Sequence, residues 1–198
     1  MRLDKYLVEE NYFNTREKAA FAIKKGCVSI NGFCVKKPSY IVNSETDQIT
    51  ISEDNLLKYV SRGGLKLEKA IFDFNLDFNE KTVLDIGSST GGFTDCALQN
   101  GACHVTAIDV GSNQLDSKLR LNNKISLFEN TDFREVKSNQ LLHRTYDFVL
   151  ADVSFISVQK IFPFILQYLE KSSSFVCLIK PQFEAGKDHI GHDGIVKS

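Results

Sequence analysis

Apolar positions recur along the chain in two rhythms, and the rhythm changes near residue 55. Early on they are sparse and helical. Leu3 and Leu7 share a face in "RLDKYLVEE", and "NTREKAAFAIKKG" sets Ala19, Ala20 and Ile23 on one stripe. Asn14 with Glu17 three residues on reads as a capping box, and Gly26 offers the stop. "CVSINGFCVKK" then holds two short β-prone runs around Asn31-Gly32, a two-residue hairpin signal. Two helices and a hairpin predict a small α+β domain over residues 1–55, with a core of marginal size.

Beyond a linker at 56–64 the runs lengthen. "TVLDIG" (82–87), "HVTAIDV" (104–110), "YDFVLADV" (146–153) and "SFVCLIK" (174–180) are nearly continuous in apolar residues, with the weaker "ISLFE" (125–129) among them. Helical stretches separate these runs. Such strands are buried on both faces, so residues 65–198 are predicted to form a parallel, Rossmann-like α/β sheet. A helix counted from Gly64 turns Leu67, Ala70, Ile71 and Phe74 inward and Lys66 elsewhere. In "ISVQKIFPFILQYLEK", Ile161, Ile165 and Leu169 follow i,i+4 steps, with Pro163 as a kink.

Charge changes the picture more than composition does. The 198 residues carry a formal net charge of −1. Residues 1–40 hold eight basic side chains against four acidic ones, a net +4, which leaves −5 for the rest. Arg16 opens the second helix, Lys24 and Lys25 close it, and Lys36 and Lys37 follow the hairpin. Two readings stand: a solvated face with lysines at a helix C-terminus, or a face for phosphates. The five cysteines include no CxxC pair, which favours buried free thiols over a zinc site and suits a reducing cytoplasm. No metal is expected. No signal peptide is expected either, and no apolar run approaches the ~18 residues of a membrane span.

The candidate chemistry lies at the strand ends. "VLDIGSSTGGF" places Asp85, Gly87, Gly91 and Gly92 where a strand crosses into a helix, and Asp109 follows the next strand. Glycines let a ligand approach the backbone, and an acid in that place accepts ribose hydroxyls. A dinucleotide site would share these features, but G-x-G-x-x-G is absent; a purely structural turn is the other alternative. Asp152 closes "DFVLAD" and Lys180 closes "FVCLIK", as either a structural ion pair or an acid and base for a reaction. "YVSRGGLKL" sets Arg62 and two glycines ahead of Lys66, which is either solvated or brought to that same edge.

The quoted segments carry two resemblances. "RLDKYL", "TREKAAFAIKKG", "VSING" and "VKKPS" resemble the S4 RNA-binding domain over residues 2–50. That likeness implies RNA contacts for Arg2, Arg16, Lys24, Lys25, Lys36 and Lys37, with Arg62 as a further phosphate grip. "LDIGSSTGGFTD" resembles motif I of S-adenosylmethionine-dependent methyltransferases. It implies a cofactor site of Asp85, Gly87, Ser88, Ser89, Thr90, Gly91, Gly92 and Phe93, then Asp109 and Val110 at the ribose and Asp132 and Phe133 at the adenine. With "YVSRGGLKL", "ADVSFIS" and "LIKPQFEAG", the whole chain resembles the TlyA/hemolysin A family, an S4 domain joined to an FtsJ-like ribose methyltransferase.

The family's activity would be methylation of a ribosomal RNA ribose 2′-hydroxyl, on cytidines of either subunit. Its partners would be ribosomal RNA or ribosomal subunits. Its catalytic set maps onto Lys66, Asp152 and Lys180. Its fourth member, a glutamate on a later strand, is not among these segments; Glu184 in "QFEAG" is a different position. On that reading the chain stops short of the family's final strands and leaves a sheet edge open. Three rival functions are a base-amine methyltransferase, a non-catalytic RNA-binding protein and a cytolysin. "DVSF" lacks the prolines of the first, and no export signal supports the last.

Overall fold

The computed structural model describes residues 1–51, 58–185, 189–191 and 195–196; residues 56 and 57 of the expected linker lie outside them. The chain divides into two compact units, Met1–Lys58 and Tyr59–Ser198.

In the first unit, α1 (Leu3–Glu9) and α2 (Arg16–Lys24) pack together beside strands β1 (Val28–Ile30), β2 (Phe33–Cys34) and β3 (Ile49–Ile51). The strands form an antiparallel sheet in the order β2-β1-β3. Asn31 (φ 52°) and Gly32 (φ 81°) make the hairpin turn, as two left-handed residues between twisted strands should. Thr15 rather than Asn14 caps α2, its hydroxyl accepting the Lys18 N–H at 3.3 Å. The cap sits one residue later because Thr15 is the last extended residue before the helix. Ala22 and Ile23, three and four residues after Ala19, are buried with it, and Ala20 is only half-buried. Cys34 also departs from expectation: it is exposed on β2, whereas Cys27 is buried.

The second unit is a five-stranded parallel sheet in the order β6-β5-β4-β7-β8. Its strands are β4 (Thr82–Ile86), β5 (His104–Ile108), β6 (Ile125–Phe128), β7 (Tyr146–Ala151) and β8 (Leu169–Cys177). Helices α3 (Gly63–Phe74) and α4 (Gly92–Gln99) cover one face, packing Leu67, Phe93 and Cys96 against Val83, Val105, Phe148 and Leu150. Helix α6 (Val158–Ile165) covers the other, with Ile161 and Ile165 against Leu84, Ile86 and Val149. A four-residue α5 (Ser117–Arg120) leads into β6, and α7 (Pro181–Glu184) follows β8. Strand order reverses between β4 and β7, the place where sheets of this kind hold ligands beyond the strands' carboxyl ends.

Three expected details change. Helix α6 gives way to a 3₁₀ turn at Leu166–Tyr168, so Leu169 opens β8 and Tyr168 takes the buried position. Asn75, left-handed at φ 50°, ends α3 after Phe74. Phe74 is therefore 70% exposed, and Phe78 fills the core, stacked on Phe148 with ring centroids 4.0 Å apart. Strand β8 ends at Cys177, and Lys180 lies beyond it at the head of α7. Among the described residues no helix is long and apolar enough to cross a membrane, and no cluster of three or more His, Cys, Asp or Glu could hold a metal ion.

Candidate active site

Past Ile86 the chain turns through Gly87 (φ 78°), Ser89 (φ 48°) and Gly91 (φ 92°) into α4. Gly91 is obligatory twice over. Its φ is left-handed, and a Cβ there would lie 2.3 Å from Leu119 Cδ1 and 2.7 Å from Leu115 Cδ1. Asp109, one residue past β5, holds the turn: Oδ2 accepts the Ser89 N–H and Oδ1 the Gly111 N–H, both at 2.7 Å. A carboxylate has about four lone-pair sites, so two remain for hydroxyl groups of a ligand.

Beneath the turn Asp85 is fully buried. Thr94 Oγ1 donates to its Oδ2 at 2.6 Å, while Oδ1 and the buried Ser88 Oγ lack hydrogen-bond partners among the described residues. Burial pushes the Asp85 carboxyl up to about 7 against the Thr94 hydrogen bonds, and repulsion from Asp152 and Asp109 adds to the rise. Asp85 thus supports the turn from below and presents no surface to a ligand. Phe93 and Phe133 are likewise core residues, whereas Ser89, Thr90 and Val110 are exposed. Asp132 borders a cleft of about 270 Å³ beyond β6, lined by Phe128, Asn130, Thr131, Glu135, Val136 and Gln140. Its carboxylate is engaged by Arg134, which donates from Nη2 at 2.5 Å, from Nε at 3.0 Å and from its backbone N–H at 2.9 Å.

Asp152 follows β7 at the same edge, and both lysines meet it. Lys66 Nζ donates to Oδ2 at 3.0 Å. Lys180 Nζ forms an ion pair with Oδ1 at 2.7 Å and donates to Ser154 Oγ at 2.7 Å. Burial works to raise Asp152, but the ammonium groups of Lys180 and Lys66 hold the carboxyl below its ordinary value.

Lys66 reaches the site because α3 begins against α4. A Cβ on Gly92 would lie 2.3 Å from Ser61 Oγ and 2.8 Å from the Gly64 nitrogen, and one on Gly64 would enter the Tyr59 ring. Asp95 ties this crossing down by accepting the Val60 N–H at 2.7 Å. A second, larger groove of about 530 Å³ runs along α6 and is largely apolar, lined by Val158, Gln159, Phe162, Pro163, Ile179 and Glu184.

Comparison with known proteins agrees with this architecture. The FtsJ-like methyltransferase family matches residues 59–198, and the S4 domain matches residues 1–49. The chain belongs to the FtsJ-like methyltransferase family. It is similar to YqxC of Bacillus subtilis, at 46% identity over 99% of this chain and 69% of that one. It is also similar to the 16S/23S rRNA (cytidine-2′-O)-methyltransferase TlyA of Mycobacterium tuberculosis, at 38% identity over 98% of this chain and 72% of that one. A solved Streptococcus thermophilus structure that carries the hemolysin name superposes with a TM-score of 0.73 at 41% identity, covering all of this chain and 72% of that one.

In the S4 unit Arg2 and Arg16 share one buried acid. Arg2 forks onto both oxygens of Asp4 at 3.0 Å, and Arg16 Nη2 donates to Asp4 Oδ2 at 2.9 Å. Hydrogen bonding from Arg2 above all holds the Asp4 carboxyl down at about 2. Lys24, Lys25, Lys36 and Lys37 are exposed, as is Arg62 in the FtsJ-like unit. Sequence reasoning missed Thr94, Ser154 and Arg134, each a polar partner of a residue it did name. Arg134 was findable, since "DFR" puts a guanidinium two residues beyond an acid.

Proposed function

We propose that this chain transfers a methyl group from S-adenosylmethionine to a ribose 2′-hydroxyl of ribosomal RNA, with cytidine as the target nucleoside. The observation that carries the reading is the meeting of Lys66 and Lys180 on Asp152 beside the glycine turn. S-adenosylmethionine, when bound, supplies an electrophilic methyl group on a cationic sulfur. The turn from Gly87 to Gly92 and the free lone pairs of Asp109 suit its adenosine, and the unpartnered Ser88 hydroxyl below the turn suits a polar ligand.

A ribose hydroxyl is a weak nucleophile that must lose its proton as it attacks. Lys180, shared between Asp152 and Ser154, is the base placed to take that proton. Lys66 fixes Asp152 from the other side and orients the hydroxyl oxygen, and Asp152 supplies negative charge beside Lys66 and the cationic sulfur and stabilises Lys180 once it has taken the proton. Residues 1–55, as the S4 portion, grip RNA phosphates through Arg2, Arg16 and the exposed lysines; residues 56–64 join them to the transfer portion, 65–198. The activity belongs in the cytoplasm, where ribosomal RNA is modified and free thiols survive.

Lys180→Ala tests the assignment by parallel measurement of cofactor affinity and labelled-methyl transfer to ribosomal subunits. Transfer should fall by about 10²–10⁴-fold, the usual contribution of a positioned base, with cofactor affinity preserved. Near-normal transfer would overturn it.

A further inference from the structure

We propose that Glu184 is a positioning residue that holds Lys180 in place by anchoring α7 to the start of α6; its bearing on methyl transfer rests on the function proposed above. Lys180 is poorly held by the backbone. Strand β8 ends at Cys177, and the last sheet-type bond is from the Leu178 N–H to the Ala151 carbonyl at 2.9 Å. Ile179 is then 56% exposed, and α7 is a single turn whose backbone bonds are local: Phe183 N–H to the Lys180 carbonyl and Ala185 N–H to the Pro181 carbonyl. One turn of helix has no stability of its own in water.

Side chains supply the missing anchor. Lys180 contacts Asp152 and Ser154, and the Phe183 ring meets Phe155 at 5.3 Å. Beyond these, Glu184 Oε1 accepts the Val158 N–H at 2.8 Å and Oε2 accepts the Ser157 hydroxyl at 2.5 Å. The Glu184 contacts join α7 to the start of a core helix, as the Asp152 contact joins Lys180 to the end of β7. Helix α6 is fixed in the core by Val158, Ile161 and Ile165, each no more than 8% exposed. Ser157 in turn caps α6 by accepting the Gln159 N–H at 3.1 Å. Glu184 therefore satisfies helix donors that need an acceptor in any case, and it favours the end of the helix that attracts negative charge. Both carboxylate oxygens are turned onto the start of α6, so the group acts on the lysine through the chain.

The test compares Glu184→Ala with Glu184→Gln in the whole chain, after far-UV circular dichroism has shown equal helix content. A glutamine oxygen can still accept from Val158, and its amide can donate to Ser157 Oγ. Glu184→Ala should lower kcat for methyl transfer by about 10- to 100-fold, the scale expected of a misplaced catalytic group, with RNA KM and cofactor affinity unchanged. Glu184→Gln should restore most of it. Acetic anhydride labelling read by mass spectrometry gives a second arm independent of activity: Lys180 should be modified several-fold faster relative to Lys66 in the alanine variant only. Wild-type turnover and wild-type Lys180 protection in Glu184→Ala would overturn the proposal, as would glutamine and alanine variants that behave alike. A wild-type chain that methylates no ribosomal RNA would sink the proposed function instead, and the labelling arm would then decide the anchor alone.

Discussion

Where residues 61–64 cross the start of α4, the second unit leaves no room for a methyl group. Gly92→Ala would put a carbon 2.3 Å from Ser61 Oγ, 2.8 Å from the Gly64 nitrogen and 3.0 Å from Gly63 Cα. Ser61 can rotate away, but the Gly64 backbone opens α3 and can move only with that helix. Overpacking of this kind costs about 1–3 kcal/mol. The better helix propensity of alanine returns at most about 1 kcal/mol, and less at the first helical position. A net loss of about 1–2 kcal/mol corresponds to a fall of about 2–8 °C in the unfolding midpoint for a chain of this size. Because α3 carries Lys66, the displacement should also part that lysine from Asp152 and lower methyl transfer. Gly63→Ala is the control from the opposite side. Its Cβ would meet Gly92 Cα and Ser61 Oγ at 3.5 Å, ordinary contact. Scanning calorimetry of both variants checks the reasoning. An unchanged midpoint in Gly92→Ala, or a larger fall in Gly63→Ala, would refute it.

Two further outcomes follow from the charges. Asp85 has a carboxyl raised from 3.8 to about 7, so its contribution to stability is present in full below its unfolded value and is lost as pH climbs through the folded one. Asp85→Asn, which keeps an oxygen for Thr94, should gain on the wild type in urea unfolding between about pH 4 and pH 7 and hold that gain above; a pH-independent difference would contradict this. In the S4 unit, replacing both Lys36 and Lys37 by alanine should weaken ribosomal RNA binding and flatten its dependence on log salt concentration by about 0.7–0.9 for each phosphate that is no longer neutralised. Filter binding across a salt series measures the slope.

The parts of the fold that announced themselves in sequence are those with a local or periodic cause. Asn31-Gly32 demands one turn type, and five apolar runs with helices between them leave little besides a parallel sheet. The boundary between α6 and β8 had no such cause. Leu169 continues the helical period of Ile161 and Ile165, so the pattern runs on while the backbone has already changed; only packing decides that Tyr168 goes inward. Phe74 and Phe78 exchange places for a related reason: a single left-handed Asn75 resets the register after α3. At the candidate site the residues that resembled a known pattern could be named, since strand ends and glycine turns are readable. Apart from Arg134, their partners could not. Thr94 under Asp85, Ser154 beside Lys180, and Glu184 on Ser157 join positions by side-chain contacts that leave no periodic trace.

Asp85 and Asp152 show why such partners matter more than strand position. Both are carboxylates at the carboxyl edge of adjacent strands, and each is withdrawn from water. Asp85 is buried beneath the turn with one hydroxyl for company, so desolvation wins and the carboxyl is pushed up to about 7. Asp152 stands one residue beyond its strand with two ammonium groups against it, so attraction outweighs desolvation and the charge is held. Environments that drive like groups apart in this way divide labour between them. The acid that resists ionisation accepts a hydrogen bond inside the scaffold, while the charged one can organise cations around a reacting atom. Exchange of the two roles would require moving a lysine, not an aspartate. It follows that the charge on Asp152 depends on where α3 and α7 deliver Lys66 and Lys180, so the crossing at Gly92 and the anchor proposed at Glu184 would bear on the proposed chemistry without touching it.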